Sequence, residues 1–382
     1  MNEYANYRWW MLVATFLLAP SAQALELRWQ GFAVQTALHT EGNSSFGESD
    51  TPSLDFYEAG LFATAQLTPR LLASAQVFVA EAGSADDGSV RLDYALLDWQ
   101  VWSKPAGTFG LRAGRVKNPF GLHNDTRDVI FLRPGILLPQ AVYLERTGIR
   151  DVLVSADGIQ LYGSVAHRGG VTALELGVAV DREADKKFRR NLSGGGLTVR
   201  QLDIVDFRVA QLLTDWSRPS LRTGLSYLTA GLDAQVDGLG AADLVADIWA
   251  LSLQWDRARA TVTAEYSVLT TTIRGIPGEG RSRSDGVYIQ YERFLPADLS
   301  LFARYDLDFA DRNDRDGRRH AAATGEPRHS QFARNLTLGG SWRPSSNWGL
   351  WAEVHLIDGT HGADRNADRH WEMFLVSAAI RF

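Results

Sequence analysis

One stretch of this chain, residues 117–152, concentrates charged side chains that could act on ions. Its candidate residues are Lys117, Asp125, Arg127, Asp128, Arg133, Glu145 and Arg146. Where such groups surround a narrow, water-filled opening, basic side chains favour anions and acidic side chains favour cations. The stretch also contains an apolar run, Ile130 to Pro139, whose large side chains gain stability only when they are buried. We therefore predict that it packs inside a larger structure and projects its charges, Arg127, Arg133 and Arg146 among them, into the remaining opening.

A second group of charged side chains recurs at alternate positions of extended segments. The residues assigned to one face of these segments are Arg112, Arg208, Arg222, Glu265, Arg304, Asp306, Glu353 and Arg381. The same face also receives Glu58, Glu175, Asp206, Glu292 and Asp308, so it has five basic and eight acidic residues. The excess charge of this face is acidic, whereas that of the 117–152 stretch is basic. The preference for anions or cations therefore stays open.

The motifs of common catalytic and metal sites are absent from the sequence. None of the eight His lies in a Gly-x-Ser-x-Gly or His-Glu-x-x-His context. Residues 311–317 resemble a run of calcium ligands but lack the trailing Glu. The chain has no Cys, which excludes thiol chemistry, and its net charge of −6 gives no reason to expect nucleic acid as a partner. We predict no enzyme activity, no metal and no cofactor.

Alternation of apolar and polar residues dominates the chain after residue 25. In residues 299–309, for example, Leu301, Ala303 and Tyr305 alternate with Arg304 and Asp306, which places the two sets on opposite faces of a strand. Such segments have about the 9–11 residues that a tilted strand needs to cross a bilayer.

The pattern predicts sixteen such strands, joined alternately by seven short turns and eight long loops. They are 26–39, 55–68, 71–81, 89–102, 108–116, 153–166, 171–181, 202–214, 219–230, 246–255, 259–270, 285–294, 298–309, 332–343, 347–358 and 370–382. The fourth strand changes parity, which predicts a bulge near Ala95–Leu97. We predict an all-β fold: a transmembrane antiparallel β-barrel of about 16 strands, with short turns at one rim, long loops at the other, and the third long loop folded into the lumen.

The first residues have the features of a secretory signal peptide. Arg8 precedes a run of nine apolar-rich residues, 11–19, and Ala22-Gln23-Ala24 is a small-x-small cleavage pattern. The run is too short for a membrane-spanning helix, which needs roughly 20 residues. We predict cleavage after Ala24, so that residues 1–24 are a signal peptide and residues 25–382 form the barrel.

Two features resemble known bacterial outer-membrane proteins. The last strand alternates and ends in Phe382, and this end is similar to the assembly signal of that class, which implies recognition by the barrel assembly machinery. The stretch Gly114-Arg115-Val116-Lys117-Asn118-Pro119-Phe120-Gly121 resembles the passage from strand to third loop in porins related to the phosphate-selective porins O and P. In sixteen-stranded porins this loop forms a constriction.

The resemblance implies a porin in the outer membrane of a Gram-negative cell, in contact with lipid and permeable to small hydrophilic solutes. It also implies a homotrimer. The acidic excess on the wall departs from the strongly basic lumen of the phosphate porins. Two alternatives remain, which are a substrate-specific channel for anions or organic acids and a non-conducting barrel that acts as an adhesin or a rim enzyme.

Overall fold

The computed structural model describes residues 26–43, 51–82, 86–143, 150–184, 188–189, 198–275, 279–363 and 367–382. The predicted signal peptide, residues 1–24, lies outside the described residues. None of the helices in the described ranges is long and apolar enough to cross a membrane.

Sixteen long antiparallel strands account for most of the described chain. They are β1 (Glu26–Glu41), β2 (Ser53–Thr68), β3 (Leu71–Glu81), β4 (Arg91–Lys104), β5 (Gly107–Lys117), β6 (Ser155–His167), β7 (Gly170–Ala179), β8 (Val199–Trp216), β9 (Leu221–Val236), β10 (Gly240–Arg257), β11 (Ala260–Arg274), β12 (Gly280–Leu295), β13 (Leu299–Phe309), β14 (Phe332–Trp342), β15 (Trp348–Asp358) and β16 (His370–Arg381). A two-residue strand, Arg182–Glu183, adds to β8. Within the described ranges, the connections contain the short α-helices α1 (Gln140–Tyr143), α2 (Arg150–Val154) and α3 (Arg318–Thr324), and the 3-10 helices Ile130–Leu132 and Arg328–Gln331.

The sheet closes on itself. Each long strand pairs with its neighbours in the sequence, and β1 also pairs with β16 from Phe32↔Arg381 to Glu41↔Glu372. Closure satisfies the backbone groups of both terminal strands, which would each cost several kcal/mol if left unpaired in hydrocarbon. The predicted sixteen-stranded antiparallel barrel is confirmed.

One predicted long loop, residues 231–245, is instead a strand hairpin. β9 and β10 continue past the expected ends and are joined by a turn of only three residues, 237–239. Leu232 and Ala234 face inward and are buried, while Asp233 between them is exposed on the outside. The loop prediction was wrong because the polar residues here occupy one face of a strand rather than an irregular connection.

The predicted bulge in β4 is displaced. Pairing is regular between Ala95 and Leu97, and the register shifts instead at Asp93 against β3 and at Val101 against β5. As a result, the carboxylates of Asp93 and Asp98 both face the lumen, where they contact basic side chains of β5.

The two faces of the strands differ as the alternation predicts. On β13, Leu301, Ala303 and Tyr305 are exposed on the outside, whereas Arg304 and Asp306 are buried inside. Large exposed aromatic side chains also gather near the short-turn rim: Trp29, Trp99, Trp102, Phe109, Trp216, Trp342 and Trp348. Such a ring is typical of the membrane interface of a transmembrane barrel.

Ala303→Arg tests the assignment of the outer face. We expect it to lower the free energy of unfolding by about 2–4 kcal/mol, because it places a charge against hydrocarbon. The matched control is Ala297→Arg, in the exposed short turn between β12 and β13, which should change little. Urea titration of both variants in lipid vesicles measures the difference, and equal destabilisation would show that Ala303 does not face lipid.

Candidate functional site

The third long connection, residues 118–154, turns into the lumen at a tied neck. The Asn124 side-chain amide donates hydrogen bonds to the carbonyl oxygens of Asn118 (2.7 Å) and Leu153 (2.8 Å). The Asn118 amide donates to the carbonyl of Val152 at 3.0 Å. Both Asn side chains are buried, so each hydrogen bond that their amide groups donate replaces one lost to water. The two ends of the loop are thereby held together where β5 ends and β6 begins.

Glu265 on β11 anchors two separate segments of this loop. Its carboxylate accepts hydrogen bonds from the Leu122 backbone N–H at 3.0 Å and from the Tyr143 hydroxyl at 2.6 Å. On the wall side it accepts from the hydroxyls of Ser252 (2.5 Å) and Tyr288 (2.7 Å). Hydrogen bonds to a carboxylate are stronger than those between neutral groups. Glu265 therefore joins the loop to three strands of the wall.

Glu353 and Arg304 anchor the C-terminal part of the apolar run. Glu353 on β15 accepts hydrogen bonds from the backbone N–H groups of Ile136 and Leu137. Arg304 on β13 donates to the Leu137 carbonyl at 3.2 Å and to Asp306 at 3.0 Å. Two side chains predicted to line the wall thus hold the loop across the lumen. His355 belongs to the same support, since its Nε2 lies 3.0 Å from a Glu353 oxygen and its Nδ1 3.1 Å from the Thr337 hydroxyl.

Close packing attaches the loop as well. Ile130, Ile136 and Leu138 are fully buried between the loop and the wall, which confirms the predicted packing of the apolar run inside the barrel. The helix α1 lies against Gly286 of β12, where a Cβ atom would come within 2.0 Å of the Ala141 carbonyl oxygen. Only glycine permits this approach.

Three of the predicted constriction residues, Lys117, Asp128 and Arg133, lie in buried ion pairs. Lys117 contacts Asp128 and, at 2.5 Å, Asp93 of β4. Arg133 forms a two-pronged pair with Glu58 of β2, and the two side chains are only 4% and 7% exposed. Charges removed from water this far are stable only when they are paired. The pairs made by Asp128 and Arg133 attach the loop to β5 and β2.

Arg127 is also buried, with 1% of its surface exposed. Its guanidinium donates to the Asn124 side-chain oxygen at 2.8 Å and to the Tyr143 carbonyl at 3.3 Å. The expectation that Arg127 and Arg133 project into the opening was therefore wrong, because pairing stabilises them inside the packed loop. Glu145 and Arg146 lie outside the described residues.

Of the predicted constriction residues that the structure describes, Asp125 is the one exposed to lumen water. Opposite lies Arg112 of β5, which donates to Asp98 at 3.0 Å and to Glu175 at 3.2 Å. Surrounding protein partly dehydrates the Asp125 carboxyl and, with the nearby charge of Glu175, raises its pKa to about 6, against the opposing effect of Lys117 and Arg112. We call Asp98, Arg112, Asp125 and Glu175 the aperture group.

Two other predicted wall residues lie inside the barrel toward the short-turn rim. Arg222 of β9 pairs with Asp215 of β8 at 2.5 Å. Arg381 of β16 donates to the Ser346 carbonyl, and its guanidinium carbon lies 4.9 Å from the ring centre of Phe131 in the loop.

Arg208, in contrast, lies on the outer face. The pairing of β8 with β9 shifts register at Asp206, whose φ is +51°, and this bulge reverses the faces of β8. Arg208 pairs directly with Val178, which is 56% exposed on the outside, and residues paired in this way share a face. Its predicted place on the lumen wall was wrong, because one extra residue in a strand moves every later side chain to the other face.

No model of a known protein family matches the sequence, and a search of curated proteins finds no match. Solved structures do match. An anion-selective porin from Comamonas acidovorans is 14% identical, with 94% of this chain and 100% of that one covered and a TM-score of 0.59. The outer membrane channel DcaP of Acinetobacter baumannii is 12% identical, with coverage of 95% and 99% and a TM-score of 0.57. The trimer form of OmpT, an outer membrane protein of Vibrio cholerae, is 12% identical, with coverage of 94% and 100% and a TM-score of 0.58.

The chain has the fold of the bacterial outer-membrane porins. Identities this low establish the fold alone, and the function of the barrel depends on its own lumen side chains. Two of these, Asp93 and Asp98, were missed from the sequence. The change of parity within β4 was the available signal, and it located the irregularity only to within a few residues.

Proposed function

We propose that this protein is an outer-membrane porin that allows small hydrophilic solutes and ions to diffuse passively. The observation that supports this most directly is the loop 118–154, which narrows the lumen while Asp125 stays in contact with lumen water. Loop anchors on β2, β5, β11, β13 and β15 hold the narrowing in place. Rigid, charged narrowings select ions by sign and size.

We further propose that the channel favours cations. The aperture group has three carboxylates and one guanidinium, since Asp98, Asp125 and Glu175 face Arg112. Among the described residues, Lys117 and Arg133 are paired with buried carboxylates and Arg127 is buried within the loop, so these basic side chains do not offset the excess. Asp125 is the most exposed member of the group and therefore the one that ions approach most closely.

The pH dependence of selectivity tests this proposal. A carboxyl with a pKa of about 6 is charged above that pH and neutral below it, so the preference for cations should fall as the pH drops through 6. Reversal potentials in a KCl gradient at about pH 5.5 and about pH 7.5 measure the change, because carboxyl groups with ordinary pKa values stay charged over this interval. Asp125→Asn should give the low-pH preference at both values. The control, Asp233→Asn on the outer surface, should behave as the unmodified protein, and a pH response that persists in Asp125→Asn would contradict the assignment.

Location, processing and assembly follow from the same proposal. We propose that residues 1–24 direct export and are removed after Ala24, and that Phe382 contributes to recognition by the barrel assembly machinery. We also propose a homotrimer in the outer membrane, surrounded by lipid. Mass spectrometry of the purified protein determines the first residue, and its mass in detergent determines the number of subunits.

Single-channel recording separates this proposal from the alternatives. A folded barrel without ion current would favour a non-conducting adhesin or rim enzyme. Passage of one class of anion or organic acid, with other solutes of similar size excluded, would favour a substrate-specific channel.

A further inference from the structure

Two neighbouring cavities lie at the short-turn end of the lumen, beneath the loop. Their volumes are about 460 Å³ and about 510 Å³, and both are lined by Phe131, Ser346 and Arg381. Because they share these residues, they form one trough, which we call the mouth trough. Each half is within the size range of small-molecule sites.

One wall of the mouth trough is apolar. Phe62, Phe131 and Leu132 line it, and Leu132 is 57% exposed although it lies inside the barrel. An apolar surface of this kind, open to water and rimmed by polar groups, marks a site that an apolar partner can cover.

The mouth trough also presents two arginines, Arg343 and Arg381. In the described ranges, neither has a carboxylate within ion-pair distance. Arg112, Arg133, Arg222 and Arg304 differ in this respect, since each pairs with an acid inside the barrel.

Two acidic residues lie close to these arginines without pairing. Asp298 lines the second cavity, and Glu292 lies near Arg343. Arg381 is held in place by the Ser346 carbonyl and by the ring of Phe131, with its terminal nitrogens available to a ligand.

We propose that the mouth trough binds organic monocarboxylates that have an aromatic or aliphatic body. Guanidinium and carboxylate match in charge and geometry, which places the anionic end at Arg381 and Arg343. The body then covers the exposed side chain of Leu132, beside the mostly buried ring of Phe131. Since the packed loop lies above the trough, the ligand enters from the short-turn side and obstructs the ion path there. The expected obstruction of current rests on the proposed porin function, whereas binding itself does not.

Current recordings across a planar bilayer test the obstruction. The probe is 3-phenylpropionate, compared with acetate, which lacks the body, and with 3-phenylpropionamide, which lacks the charge. We expect 3-phenylpropionate to reduce the KCl current when it is added to the short-turn side, and the other two to have little effect. Equal reduction from both sides, or by all three compounds, would overturn the proposal.

Variants locate the site. Arg381→Gln should weaken the effect of 3-phenylpropionate about tenfold, in line with the loss of one charge-assisted contact. Leu132→Asn should also weaken it, by removing apolar contact. Arg257→Gln, at an exposed short turn outside the trough, is the matched control and should leave it unchanged. An unchanged effect in both trough variants would exclude this site.

A binding measurement keeps this inference distinct from the porin proposal. Trp351 packs edge-on against Phe131, with 5.1 Å between ring centres, so a ligand on Phe131 should alter its fluorescence. The fluorescence change that 3-phenylpropionate causes in detergent should be absent in Trp351→Phe. Binding without any KCl current would support the ligand site and refute the porin function. A KCl current without binding would support the porin function and refute the ligand site.

Discussion

A barrel that lacks residues 124–146 should pass several times more current per channel than the full protein. The deleted segment contains the apolar run and α1, which cross the lumen between Glu265 on one side and Glu353 on the other. Without it, the wall is that of a sixteen-stranded barrel, which is wide enough for an aqueous channel. The wall groups that bind the loop would then be hydrated, so the barrel should still fold.

The measurement is single-channel conductance in KCl, together with the cation preference. The aperture group loses Asp125 in this variant, so selectivity should weaken as conductance rises. The matched control removes residues 318–324, the helix α3, which has no buried side chain and lies in another loop. Equal conductance in the folded deletion variant and the full protein would show that the loop does not limit the ion path.

The second large effect is expected at Arg133. Arg133→Met should lower the free energy of unfolding by about 3–5 kcal/mol, because it removes the guanidinium charge that is paired with the buried carboxylate of Glu58. The pair is bidentate and almost inaccessible to water, so solvent cannot replace the lost contact. Loss of the pair should also release the loop and increase fluctuations of the open-channel current.

A double variant distinguishes the cost of an unpaired charge from the loss of packing. Glu58→Met combined with Arg133→Met should recover most of the stability, since apolar groups of similar size can replace a buried pair. Arg112→Met is the comparison within the same lumen. Its pair with Asp98 is 29% and 20% exposed, so the cost should be smaller. Urea titration measures all three variants, and equal costs for Arg133→Met and Arg112→Met would contradict the argument.

The burial of Arg127 and Arg133 changes the effect expected from neutralising them. Neutralising Arg127 and Arg133 is now expected to loosen the loop rather than to shift ion preference, because both side chains are buried. The charge that ions meet is Asp125, which the sequence placed in the same stretch but could not rank above its neighbours.

The local sequence pattern was sufficient to predict the strands of the barrel, their outer face and the packing of the third loop. Alternation with period two predicted sixteen strands and the outward face of β13, because burial against lipid on one side and water on the other imposes that period directly on the sequence. The apolar run Ile130 to Pro139 predicted a loop packed in the lumen, because burial of large apolar side chains favours one location over solvent regardless of the exact contacts.

Only the tertiary structure decided which charges are available to a solute. The bulges at Asp93 and Asp206 each shift a strand by one residue, and they brought Asp93 to Lys117 and turned Arg208 to the outside. A bulge of one residue leaves almost no trace in composition, since its stability comes from partners on other strands. The pairing of Arg133 with Glu58 likewise joins residues 75 positions apart. Net charge at an opening depends on such long-range pairs, so it follows from the folded barrel and not from counting residues along the chain.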